Sequence, residues 1–296
     1  MNKVFCSTGA LIGRPNNRNY KLLSEVADKL TFDGFEFLVY DTWYPEINDL
    51  IKYVKPLGLN IPVVHCEKSL SEKLSGSKIV FSSGEYKEYP FTKDEDQKFF
   101  NEAIEEFKIN LHLANEFGSD RMVFHLWNGL VSDKYLDRNL DRFSVLKELA
   151  DDAGILLLVE NVICNVNSPL IDVGITHEKY PDVSFVYDTK MAQFHGETLD
   201  VFNDKWNYLF KEHLIRHLHI NDYDGGIKEW NNLKVLPIGK GHVDFKSFFE
   251  NLSSCDYSGD YTVEATAFDK VSGVIDIDML NKCFEDLRNL IFSRET

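Results

Sequence analysis

Short apolar runs alternate with longer helix-like segments along the chain, and this alternation constrains the fold more than any other feature. Eight of the runs have the length and apolar content of buried β-strands. They cover residues 3–8, 34–40, 61–65, 121–125, 155–160, 183–188, 215–220 and 260–265. In the segments between them apolar residues recur at helical spacing, as in Phe100, Ile104 and Phe107. Eight strands that alternate with helices predict an α/β fold in which a parallel sheet closes into a (β/α)8 TIM barrel.

A doubly wound open sheet would show the same alternation, but no Gly-rich turn follows the first strand, and this favours the barrel. We expect a single domain over residues 1–296, because the length suits such a barrel and no clear linker interrupts it. Two connections that leave strands are long, at 66–96 and 221–243. Loops of this kind lie over the carboxyl face of a barrel, where active sites are found.

Composition narrows the class of partner. The net charge of −16 disfavours broad attraction to nucleic acid or to an anionic membrane. No apolar run approaches the length of a membrane-spanning helix, and we read no signal peptide at the start of the sequence. The five cysteines are scattered, which is typical of reduced thiols in a cytoplasmic protein. Barrels of this kind often pair, but no exposed apolar stripe demands a homo-oligomer.

Six of the eight predicted strands end at, or within two residues of, a histidine or a carboxylate. These residues are His65, His125, Glu160, Asp188, His219 and Glu264. The carboxyl ends of barrel strands converge on one mouth, where three carboxylates would repel one another. A divalent cation relieves that repulsion, and imidazole complements carboxylate as a ligand. The pattern therefore predicts a metal site, although any one of these histidines could be structural and Asp188 could instead cap the helix that follows it.

Five motifs carry a resemblance to a known family. They are "VENV", "FVYDTKMAQFHG", "HLHINDYDG", "PIGKGHVDF" and "YTVEA". In this order and spacing they resemble the xylose-isomerase-like TIM-barrel superfamily, which contains sugar and sugar-phosphate isomerases and epimerases, inosose dehydratases and endonuclease IV repair enzymes. In the ketose epimerase branch one divalent metal is held by four residues that correspond to Glu160, Asp188, His219 and Glu264. The ligand types suit manganese, magnesium, cobalt or zinc.

The endonuclease branch resembles the chain at two further positions, His65 and His125, which hold an additional zinc in that branch. Two other ligand positions of that branch are occupied here by Met191 and by the "LKV" of residues 233–235. A third metal site is therefore expected to be absent, which argues against DNA repair. His65 and His125 are expected to bind substrate oxygens or a second metal.

The resemblance implies a metal-dependent isomerisation or epimerisation of a sugar or sugar phosphate through a cis-enediolate, with Glu160 and Glu264 as the catalytic acid/base pair. Two alternatives use similar ligands: a dehydratase of a keto-polyol and a two-metal phosphoesterase of the endonuclease IV type. A barrel that binds a sugar without turnover is less consistent with two glutamates at these positions.

Six more residues are weaker candidates for substrate contacts. They are Glu36, Lys190, His195, Arg14, Trp127 and Lys240. Glu36 alternates with two phenylalanines and so could face the barrel mouth or make a buried hydrogen bond. The three basic side chains and His195 could contact substrate oxygens or lie in solvent, and Trp127 could form an apolar wall against a sugar face.

Overall fold

The computed structural model describes residues 2–82, 85–129 and 132–292. Its strands are β1 (Val4–Ser7), β2 (Gly34–Leu38), β3 (Val63–His65), β4 (Ser77–Ser82), β5 (Glu85–Pro90), β6 (Arg121–Phe124), β7 (Leu156–Glu160), β8 (Ser184–Asp188), β9 (Ile215–Ile220) and β10 (Asp260–Val263). Eight of them close into a parallel barrel in the order β1-β10-β9-β8-β7-β6-β3-β2, while β4 and β5 form a separate antiparallel pair. The predicted α/β barrel is therefore confirmed.

Helices connect successive barrel strands. They are α1 (Leu23–Val26), α2 (Ile47–Val54), α3 (Leu70–Ser75), α4 (Lys93–Phe117), α5 (Leu136–Asp152), α6 (Pro169–Lys179), α7 (Thr189–His195), α8 (Tyr208–Lys211), α9 (Phe245–Ser253) and α10 (Ile277–Phe292). Short 3-10 turns lie at Thr8–Ala10, Arg14–Asn16, Tyr20–Leu22, Ala27–Lys29, Asp41–Glu46, Lys55–Leu57, Ser132–Tyr135, Asp200–Phe202 and Trp230–Asn232. None of the described helices combines the length and the apolarity needed to cross a membrane.

The two long connections differ from each other. Residues 66–96 were expected to form one long loop, but they contain α3, the β4–β5 pair and the start of α4. The expectation is wrong because residues 77–82 and 85–90 pair with each other outside the barrel. The eight barrel strands predicted from the sequence do not include such a pair. The connection at 221–243 contains the turn Trp230–Asn232 and an isolated bridge between Asp222 and Leu236, and is otherwise irregular.

The barrel interior is layered because residues two apart on a strand face the same side. Five apolar side chains fill the lower layer: Phe5, Val63, Val123, Leu158 and Val186. Two positions further along their strands, four of them are followed by residues of the predicted site, His65, His125, Glu160 and Asp188. The alternation that buries the apolar layer therefore also directs the polar strand ends toward one another above it.

Candidate metal centre

The ends of four neighbouring strands bring Glu160, Asp188, His219 and Glu264 into one cluster, with one candidate ligand atom from each lying within 4.8 Å of all the others. His219 Nδ1 lies 3.1 Å from Glu160 Oε1, 3.8 Å from Glu264 Oε1 and 3.9 Å from Asp188 Oδ2. Strand register contributes to this proximity, since Asp188 and His219 are paired residues of β8 and β9. The structure thus brings together the four residues that the resemblance indicates.

The two carboxylate oxygens of Asp188 have different partners. Its Oδ1 accepts a hydrogen bond from the Met191 amide at 2.8 Å and so caps α7. Its Oδ2 accepts from Asn221 Nδ2 at 3.2 Å, and the same amide group donates to Glu264 Oε2 at 3.2 Å. Helix capping, which was an alternative to a metal-ligand role, therefore coexists with an oxygen that faces the cluster.

Glu160 connects this cluster to a second one that contains both upstream histidines. Its Oε2 lies 2.5 Å from His125 Nε2 and 3.3 Å from His65 Nε2, whereas its Oε1 faces His219. His65 Nδ1 lies 2.8 Å from the Cys66 carbonyl oxygen, which can only accept, so Nδ1 carries a proton. His65, His125 and Glu160 therefore offer a compact set of nitrogen and oxygen atoms of the kind that can hold a cation.

The charges in the cluster act against one another in the absence of a cation. Burial would raise the pKa of Glu160, but His125 and His219 outweigh it and hold that pKa well below the usual range. Burial and the neighbouring Glu160 charge raise the pKa of Asp188 to about 7. Carboxylates therefore converge in a buried site, one of them with a raised pKa, and this donor set fits a hard or borderline divalent cation.

Two further residues near the cluster were not predicted from the sequence, Lys68 and His217. Lys68 lies in the connection after β3, and burial, which would lower its pKa, is outweighed by the charges of Glu264 and Glu160, which raise it. This ammonium group therefore adds positive charge to the mouth. His217 precedes His219 by two residues and faces the same interior, a spacing from which its position could have been predicted.

Glu36 faces the barrel interior, as its alternation with Phe35 and Phe37 predicted. It is fully buried, and its Oε2 accepts hydrogen bonds from the two histidines of β9. The buried hydrogen bond that was the alternative for Glu36 is therefore present, and a contact between Glu36 and a substrate stays a prediction.

Two other substrate candidates are held by backbone groups. Trp127 is fully buried, and its Nε1 donates to the Val162 carbonyl at 2.8 Å. The structure contradicts the expectation that Trp127 stacks against a substrate, because its ring has no exposed face. His195 Nε2 accepts from the Cys164 amide at 3.0 Å, and burial lowers the pKa of this imidazole to about 4. His195 therefore holds the loop after β7 as a neutral acceptor.

The three basic candidates lie in different surroundings. Lys190 is buried, and its charge acts to lower the pKa of Asp188, which places it near the cluster. Arg14 is exposed at the start of a 3-10 turn. Lys240 is exposed on a tight turn in which its amide donates to the Pro237 carbonyl at 3.1 Å. Of the three, only Lys190 is brought to the cluster, and the substrate roles of Arg14 and Lys240 stay predictions.

Comparison with solved structures finds the same fold over nearly the whole chain. A D-tagatose 3-epimerase-like protein is 20% identical with a TM-score of 0.65, and the match covers 99% of this chain and 98% of that one. The 3-keto-D-glucoside 4-epimerase YcjR from E. coli is 17% identical with a TM-score of 0.65, covering 98% and 100%. The IolI protein with a zinc atom is 15% identical with a TM-score of 0.70, covering 99% of each chain.

Sequence comparisons agree with this likeness. An uncharacterised protein of Methanocaldococcus jannaschii is 31% identical over 166 residues, which are 51% of this chain and 52% of that protein. The match thus spans about half the length of this curated relative. A sequence model described as the xylose isomerase-like TIM barrel matches residues 25–280, which is most of the chain. The chain therefore belongs to the xylose isomerase-like TIM barrel family.

Proposed function

We propose that this protein is an isomerase or epimerase of a sugar or sugar phosphate that uses a divalent cation held by Glu160, Asp188, His219 and Glu264. One observation carries the proposal: these four side chains converge, and they differ in how far they are exposed to solvent. The Glu264 side chain is 11% exposed, whereas those of the other three are at most 1% exposed. A substrate that enters the mouth therefore meets Glu264 first. The epimerase descriptions of two similar solved structures support the substrate class.

The bound cation supplies Lewis-acid stabilisation of the negative charge that develops on oxygen when a proton leaves the neighbouring carbon. Glu264 is the proposed base, because it is partly exposed and Asn221 fixes one of its oxygens at 3.2 Å. Glu160 is the proposed second acid/base group, and its Oε1 lies 3.1 Å from His219 Nδ1. The ammonium of Lys68 lies near both glutamates, where it can donate a hydrogen bond to a substrate hydroxyl.

The proposal predicts that Glu264→Gln loses turnover by a factor of about 10²–10⁴, the usual contribution of a positioned acid/base group. The assay follows deuterium incorporation from solvent into a panel of ketoses and ketose phosphates, with manganese or cobalt added. Glu250→Gln on α9 is the matched control, because that glutamate is 64% exposed. Deuterium incorporation by Glu264→Gln at the rate of the unmodified protein would refute the proposed role.

A second candidate function, hydrolysis of a phosphate ester with two cations, is favoured by one observation. Both His65 Nε2 and His125 Nε2 face the Glu160 oxygen that does not face His219. Elemental analysis of metal per chain separates the candidates. One equivalent that survives His65→Ala favours the isomerase, whereas two equivalents that fall to one favour the hydrolase.

A further inference from the structure

A layer of hydrogen bonds lies directly beneath the proposed cation site. Glu36 extends from β2 into the interior, and its Oε2 lies 3.0 Å from His219 Nε2, 3.1 Å from His217 Nε2 and 2.9 Å from Thr262 Oγ1. His217 Nε2 also lies 2.8 Å from Thr262 Oγ1. All four residues are fully buried. The other oxygen, Oε1, has no hydrogen-bond partner among the described residues, so Oε2 makes the hydrogen bonds of this carboxyl group.

The two ring nitrogens of His219 therefore face different groups. Its Nε2 faces Glu36, and its Nδ1 faces the carboxylates of Glu160, Asp188 and Glu264. A histidine that donates through Nε2 keeps the lone pair on Nδ1 available for a cation. In the alternative tautomer the Nε2 lone pair would face the Glu36 carboxylate inside the barrel, which is unfavourable.

We propose that Glu36 is a positioning residue that fixes the tautomer and the ring orientation of His219, so that Nδ1 faces the cation site. The inference rests on the proposed function, because it assumes that a cation occupies the cluster above. It also accounts for a fully buried glutamate on β2. Thr262, which pairs with His219 across β9 and β10, supports Glu36 but does not touch the His219 ring nitrogens.

The test is cobalt(II) binding, measured by calorimetry and by the visible ligand-field spectrum. Carboxylate partners of metal-binding histidines typically contribute about 10–100-fold in metal affinity. We therefore expect Glu36→Gln to weaken cobalt binding by about that factor and to change the spectrum. Thr262→Val removes a neighbouring hydrogen bond but leaves the Glu36–His219 contact, so its cobalt affinity should stay within a few-fold of that of the unmodified protein. Glu106→Gln is the control, because Glu106 is a partly buried glutamate that pairs with Lys73 outside the barrel.

Each outcome bears on a different claim. If the unmodified protein binds no cobalt, the proposed function falls and this inference falls with it. If it binds cobalt, and Glu36→Gln binds as tightly with the same spectrum, only this inference is overturned. Equal losses in Glu36→Gln and Thr262→Val would indicate a merely structural layer and would also overturn it. If Glu36→Gln does not fold, Glu36→Asp takes its place. The shorter side chain keeps the negative charge but moves it away from His219. Unchanged cobalt affinity in that variant would overturn the inference.

Discussion

Asp188→Asn should make the metal-free protein more stable while it removes metal binding. Asp188 is fully buried among other carboxylates, and burial with the Glu160 charge raises its pKa to about 7. An ionised side chain at this position therefore opposes folding unless a cation is bound. Asparagine has nearly the same shape and can still cap α7, because its carbonyl oxygen can accept from the Met191 amide.

The magnitude follows from the pKa. Ionising a carboxyl whose pKa rises from 3.8 to about 7 on folding costs on the order of 4 kcal/mol of stability at pH 8. The variant also loses the hydrogen bond from Asn221, worth about 1 kcal/mol, because two amide groups would then face each other as donors. The net gain at pH 8 is therefore about 3 kcal/mol.

The sign of the pH dependence is fixed by the raised pKa. Below about pH 4 the carboxyl is protonated in both the folded and the unfolded state, so its ionisation carries no penalty. The penalty grows as the pH rises toward 7 and is constant above it. The advantage of Asp188→Asn should accordingly be larger at pH 8 than at pH 5.

Urea unfolding of chelator-treated protein at both pH values measures this difference, and calorimetry with cobalt measures the loss of binding. Asp49→Asn is the control, because Asp49 lies exposed on α2. The reasoning is refuted if Asp188→Asn gains no more stability at pH 8 than at pH 5, or if it binds cobalt like the unmodified protein.

Four further predictions follow from single residues. Burial raises the pKa of Asp172 to about 6, so Asp172→Asn should be more stable than the unmodified protein above pH 6 and indistinguishable near pH 4 in thermal melts. Leu158→Ala empties part of the lower barrel layer and should cost about 2–4 kcal/mol in urea unfolding, with cobalt binding retained. Trp127→Phe loses a buried hydrogen bond and about 1 kcal/mol of stability, but its KM should not change, because the ring is fully buried. Lys68→Met removes a positive charge beside Glu264 and Glu160 and should tighten cobalt binding while it lowers kcat/KM; weaker binding would contradict this electrostatic reasoning.

The barrel could be predicted because its signal is periodic. The predicted run 155–160 corresponds to β7 at Leu156–Glu160, and the alternation along each strand indicated which strand ends face inward. The β4–β5 pair was missed although both segments contain typical strand residues, because a strand pair outside the barrel has no place in the eightfold repeat. Lys68 could not be predicted, since the position of a loop side chain depends on packing that leaves no periodic signal.

Some contacts depend on barrel closure, which no local pattern contains. Glu36 on β2 and His219 on β9 are 183 residues apart in sequence, and β1 and β10 lie between their strands. The sequence indicates that each faces the interior, but only the closed barrel shows that the two side chains meet. The same holds for His65, whose contact with Glu160 spans 95 residues. Residue type and strand position therefore predict which side chains enter the site, whereas closure decides which of them become partners.

The histidine contacts of Glu160 limit its ability to transfer a proton. Its Oε2 contacts His125 and His65, and its Oε1 contacts His219, so each of its two oxygens already has an imidazole partner. With one cation in the cluster of Glu160, Asp188, His219 and Glu264, the upstream histidines keep Oε2 in place, and any proton transfer by Glu160 must first break a buried hydrogen bond. His65 and His125 would hold a second cation together with Glu160, and Oε2 would then be still less available to a substrate. In either case Glu264, the most exposed of the four, is the glutamate best able to exchange a proton with a substrate.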